Sequence, residues 1–243
     1  MDPRASDALP PAVARPLRWG LGDFVWIYLL GLVISQVAAG IAFGLEGAPA
    51  TAGALTVAAA ALGLYGGWGG GLVWISRHKG QNSLERDFGL RVRAGRLWAL
   101  FAGVALQLLL GGMVLPLVHL VNDEKQSVVD DLKNASGAKL VVLLVVAGFL
   151  APIFEELMFR GLLLRALRRK YSPAVAIGVS ALVFALGHLV SPTLGTVAVL
   201  PALFALGVIS GIAATWAGDL SISIPLHMGF NLITLAAYAV MHR

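Results

Sequence analysis

The sequence has no cysteine. Disulfides and thiolate chemistry are therefore excluded, and any zinc would have to be held by histidines and carboxylates. Charge is also scarce. Only 13% of residues are charged while 58% are hydrophobic, against about 25% charged in a soluble domain. That balance excludes an ordinary soluble enzyme and describes an all-α, polytopic membrane bundle. The net charge of +5 is a topology signal rather than a nucleic-acid signal, because the basic residues cluster beside apolar runs. The first residues lack the pattern of a cleavable signal: three arginines and four prolines precede a full-length apolar run.

The apolar runs predict seven crossings, or eight if an extra interfacial or re-entrant helix is present. Residues 1–21 read as a short, disordered cytosolic tail, 22–138 as N-terminal spans and loops, and 139–243 as a membrane core that holds the chemistry. The expected spans are 24–45, 52–75, 97–121, a long segment from 140 to about 170, 174–190, 196–217 and 220–241. The second contains Gly63, Gly66, Gly67, Gly70 and Gly71 at small-xxx-small spacings, a packing signal. Pro152 is expected to break or kink the fourth segment. A basic stretch at 77–96, three arginines before the first span and the cluster Arg165–Lys170 fall on one side in this layout, which places the N-terminus in the cytosol.

Polar residues in the C-terminal half stand out because lipid offers them no hydrogen-bond partner. Glu155 and Glu156 are adjacent inside an apolar stretch. Arg160 is four residues beyond Glu156, on the same helix face. Phe184 and His188 share a face on a later span, and His227 and Asn231 do so on the last. An intramembrane carboxylate is a functional-site hypothesis by default. A structural ion pair is the alternative reading of Glu156 and Arg160. Clustered around a water-filled cavity, these side chains suit hydrolysis of an acyl bond, in particular a peptide bond. A carboxylate activates water, a histidine orients or deprotonates it, and an amide with the second histidine donates to an oxyanion. Equally, Glu155, His188 and His227 supply the three N/O ligands of a catalytic zinc site. No H-E-x-x-H pair occurs, and Asp219 has no second intramembrane aspartate beside it. Ser210 lies between Gly207 and Gly211 and reads as a helix contact.

The segments E-E-L-M-F-R-G at 155–161, S-A-L-V-F-A-L-G-H at 180–188 and H-M-G-F-N at 227–231 resemble, in order and spacing, the three motifs of the CPBP family. That family holds the type II CAAX prenyl endopeptidases and bacteriocin-processing or immunity-type (ABI) membrane proteins. The resemblance covers about 139–235. It implies an intramembrane endopeptidase acting on a membrane-associated or lipidated peptide or protein in a cell membrane. Glu155 would activate water, with His188 as its partner. His227 and Asn231 would complete the site, and Glu156, Arg160 and Phe184 would support it. If zinc is bound, Glu155, His188 and His227 are the ligands and Glu156 is the spare carboxylate. Nothing in the sequence marks an oligomer. The rival from another class is a non-enzymatic immunity or scaffold protein or a small transporter, although no internal repeat supports a transporter.

Overall fold

The computed structural model describes residues 16–48, 52–120, 137–189 and 194–241. Most of the tail expected at 1–21 and nearly all of the acidic loop expected at 122–138 lie outside these residues, as does the side chain of His119. Eight helices follow in order. They are α1 (Leu21–Leu45), α2 (Ala54–Lys79), the short α3 (Leu84–Phe88), α4 (Ala99–Leu120), α5 (Gly137–Arg168), α6 (Pro173–Leu186), α7 (Leu194–Ala217) and α8 (Ser223–Met241). Among the described residues five helices are long and apolar enough to cross a membrane, and α6 is a shorter apolar helix. The protein is an integral membrane helical bundle. Each of the seven expected spans has a helix, but the fifth is shorter than expected. It ends at Leu186, so α6 covers only about 21 Å.

The buried face of α1 is set by small residues. A Cβ on Gly63, Gly67 or Gly71 of α2 would fall within 3 Å of Ser35, Gly31 or Ile27 of α1. Gly66 and Gly70 face open space, so only one of the two glycine stripes is a contact. On the opposite side of α1, Val25, Leu29, Val33, Val37 and Ile41 recur every fourth residue and are all more than half exposed, the surface a bilayer would cover. A second close approach joins α4 to α8. A Cβ on Gly103 would strike the Leu226 carbonyl, and one on Gly229 the Leu100 carbonyl. Ser210 is fully buried on α7, and a Cβ on Gly207 would press on Ala181 of α6. The reading of that stretch as a helix contact holds.

Pro152 does not break α5. The helix runs through it, with π-helical stretches at Val146–Leu150 and Glu156–Leu164. In the first stretch the Ala151 N–H reaches back five residues to the Val146 carbonyl. Widened turns of this kind absorb an interruption of the ladder without ending the helix. At 32 residues the helix is about 48 Å long, more than a perpendicular crossing needs, so it tilts or projects beyond the hydrocarbon.

The basic end is capped by the segment between α2 and α4. Asp87 is its hub, accepting from Ser76 Oγ at 2.6 Å, Trp19 Nε1 at 3.4 Å and the Gln81 N–H at 3.0 Å. Trp19 is buried, so the described end of the tail is anchored rather than free. Gly89 takes φ +77° to end α3, and its carbonyl accepts from the Leu220 N–H at 2.9 Å. Asp219 pairs with Arg93 at 2.8 Å and Arg96 at 3.3 Å. Burial raises the titration of Asp219, but the hydrogen bonds from Ser221 and the two arginines outweigh it. The carboxyl titrates below the ordinary aspartate range.

Two predictions follow from this packing. Gly103→Ala and Gly229→Ala should each cost about 1–3 kcal/mol of stability, and Gly66→Ala should cost nothing, as read by thermal unfolding in detergent. Because Asp219 titrates low, its anchoring holds above the ordinary aspartate range and is lost as pH falls below it. Limited proteolysis of the 80–98 segment should therefore accelerate at strongly acidic pH in the wild type, and already at neutral pH in Asp219→Asn.

Candidate active site

Glu155 and Glu156 sit where an α-helical turn (Ala151–Glu155) passes into the second π stretch. Adjacent positions on a helix point about 100° apart, and the two carboxylates have different surroundings. The Glu156 side chain is 0% exposed, whereas that of Glu155 is 14% exposed. Glu156 Oε1 is 3.0 Å from an Arg160 terminal nitrogen and 3.1 Å from His227 Nδ1. Arg160 also donates to the Gly207 carbonyl at 3.1 Å, and its guanidinium lies 4.5 Å from the centre of the Phe184 ring. The buried ion pair on α5 thus engages three other helices, α6, α7 and α8. Because Glu156 accepts from His227 Nδ1, the ring proton is on that nitrogen. Nε2 is left facing Glu155 Oε2 at 3.8 Å, close to where a shared water would fit.

Phe184 joins the second motif to the third. Its ring is edge-on to His188 at 4.9 Å and to His227 at 5.6 Å. His188 lies just past the end of α6, and its Nδ1 donates to the Phe184 carbonyl at 2.9 Å, which leaves Nε2 free. Counting residues from the membrane surface predicts that His188 and His227 lie at different depths, about 20 and 10 Å. The structure shows why that count fails. The turn before α8 is buried: Leu220, Ser221, Ile222 and Ser223 are all covered, with Leu220 under the 80–98 cap. Protein encloses the start of α8, so counting residues from that end does not locate His227. Both histidine rings pack on Phe184, which is one turn from His188.

Asn231 has a structural partner that its spacing does not reveal. Its Nδ2 donates to the Ala147 carbonyl at 2.8 Å. In the π register set by Ala151, the next backbone donor would be residue 152 and its acceptor Ala147. Residue 152 is proline and has no N–H. Asn231 thus supplies the hydrogen bond that Pro152 cannot make, and so ties the third motif to the turn just before the glutamates. One N–H of the amide is used in this way and one remains.

The zinc ligands expected from the resemblance do not form a ready-made trio. Among the described residues no three His, Cys, Asp or Glu side chains are grouped to hold a metal ion.

The N-terminal helices contribute more than generic spans. Tyr65 of α2 stacks on Phe154 at 5.4 Å, and Tyr28 of α1 stacks on Trp68 at 5.5 Å. A Cβ on Gly187 would lie 3.0 Å from the Tyr28 hydroxyl. No motif pointed to these tyrosines. Their signal was aromatic residues deep within apolar spans rather than at the interfacial belt.

With this geometry in place, the comparison with known families bears on the core. Residues 137–233 match the type II CAAX prenyl endopeptidase Rce1-like family. That stretch is similar to the Rce1-like domains of the CPBP family. The match spans Glu155, Glu156, Arg160, Phe184, His188, His227 and Asn231, in somewhat under half of the chain. No curated protein and no solved structure matches the chain significantly. The similarity points to a protease of the CAAX type.

The bond between Asn231 and Ala147 can be tested by a double-mutant cycle. Asn231→Ala should cost about 1–3 kcal/mol. In a Pro152→Ala background, where a backbone N–H is restored, the same substitution should cost much less. Equal losses in the two backgrounds would refute the link.

Proposed function

We propose that the protein is an intramembrane endopeptidase that cleaves a membrane-associated or lipidated peptide or protein, using water activated by Glu155. One observation carries the assignment. Of two adjacent glutamates, Glu156 is locked between Arg160 and His227, whereas Glu155 is partly exposed and opposite the free His227 Nε2. A general base must reach water, and only Glu155 has room for it. Glu156 and Arg160 are positioning residues. They hold the His227 ring so that its unprotonated nitrogen faces the water.

In this mechanism Glu155 takes one proton from the water as its oxygen attacks the scissile carbonyl carbon. The water's other O–H donates to the unprotonated Nε2 of His227 or of His188, which fixes its direction. The remaining N–H of Asn231 is the donor available to the developing oxyanion. Collapse of the tetrahedral intermediate breaks the C–N bond, and Glu155 returns the proton to the leaving amine. The product is a new carboxyl terminus and a free amine. In the proposed orientation the N-terminus and the basic end lie in the cytosol, on the evidence of the charge bias alone.

Glu155→Gln should lower cleavage by about 10²–10⁴-fold with unchanged insertion and thermal stability. The measurement is mass spectrometry of membrane-protein termini in cells carrying the wild type or the variant. Termini that disappear in Glu155→Gln identify the substrate. An unchanged set of termini at equal expression would refute the assignment and favour an immunity or scaffold role. Arg160→Ala should reduce both yield and activity, because it leaves Glu156 buried and unpaired.

A further inference from the structure

A cavity of about 220 Å³ opens at the basic end of the bundle, between α5, α7 and the turn that precedes α8. Its polar lining is Arg160, Arg165, Arg168 and Thr215, and Leu164 and Leu220 form part of its apolar wall. We propose that this cavity binds the phosphate of an anionic lipid.

The lining has three guanidinium groups and no carboxylate. Arg165 is held by main-chain carbonyls, those of Asp87 at 3.4 Å and Gly218 at 2.9 Å, so its charge is not neutralised. Arg168 has no carboxylate partner among the described residues. Asp219 is near enough for Arg165 to feel it, but it is already bound by Arg93 and Arg96. The Thr215 hydroxyl and Arg160 Nε are buried and lack hydrogen-bond partners, a costly arrangement that a bound acceptor would relieve. An arginine fork and a hydroxyl suit a tetrahedral oxyanion such as phosphate.

The surroundings favour a lipid as the source of that phosphate. Trp216, next to Thr215, is 77% exposed, as expected of an aromatic residue at headgroup depth. Ile212 lies one turn deeper on α7, and Val175 and Val179 on α6 are also exposed. Acyl chains of a lipid held by its phosphate would run along these side chains, whereas a free phosphate would make no use of them. Basic pockets between transmembrane helices are known headgroup sites. Arg160 gives the cavity a second significance, since the same guanidinium pairs with Glu156. A phosphate at Arg160 would therefore be felt by the carboxylate that orients His227. Binding itself does not depend on the activity proposed above.

The test uses the full-length protein in mixed-lipid nanodiscs of phosphatidylcholine and phosphatidylglycerol, with lipid retention after detergent extraction read by native mass spectrometry. Phosphatidylglycerol should be retained in preference to phosphatidylcholine. Arg168→Gln should weaken that retention about fivefold, the weight of one basic residue near an anionic surface, and Thr215→Val should also weaken it. Arg77→Gln removes an exposed charge outside the cavity and should change nothing. Arg168 is exposed, so its replacement leaves the core intact. Equal retention of the two lipids would overturn the proposal, as would equal effects of Arg168→Gln and Arg77→Gln. Displacement of the lipid by inorganic phosphate alone, or by a peptide with a free C-terminal carboxylate but not by its amide, would overturn the lipid assignment.

Discussion

A charge within a bilayer needs a partner, and this bundle is arranged around one that is fully enclosed. Glu156 and Arg160 are completely shielded from solvent, where an unpaired ion would cost several kcal/mol. Their pairing draws in His227 from α8, the Gly207 carbonyl from α7 and the Phe184 ring from α6. Three helices are thus oriented by one ion pair on a fourth. Glu155, one residue away, is left out of the Arg160 pairing and is partly exposed, which is why the proposed chemistry is placed on it. A rotation of about 100° along the helix gives two neighbouring carboxylates these different surroundings.

The helical class and the convergence of Glu155, Glu156, Arg160, Phe184 and His227 were legible in the sequence, because polar side chains in an apolar span have few places to go. The i,i+4 spacing of Glu156 and Arg160 anticipated their contact. What spacing could not show was how the helices continue. Pro152 reads as a break, yet α5 passes through it in a π register, with Asn231 completing the hydrogen bonding from another helix. Residue counting also could not locate His227, since it assumes that a helix begins at the membrane surface and α8 begins beneath a cap. Hydropathy is uniform around α1, so its inner face became visible only through Gly31 and Ser35 packing against α2.

The motif glycines illustrate how a short signature carries two kinds of information. Gly161 follows Arg160, and a Cβ there would press on Phe88 of the cap. Gly229 lies between His227 and Asn231, and its missing side chain admits the backbone of α4. Neither glycine touches the chemistry. Each lets a neighbouring chemical residue sit on a helix that is packed closely enough to be held still.

The contact between α4 and α8 also bears on the order in which the molecule is assembled. A chain made from its N-terminus completes α4 and the cap at 80–98 well before α8 exists. The surface that accepts Gly229, and the Gly89 carbonyl that receives Leu220, are therefore present when the last helix arrives. His227 is delivered into a slot already shaped by segments that carry no motif of their own. Because α8 is made after α5, a chain truncated between them retains both glutamates but not the imidazole that faces them.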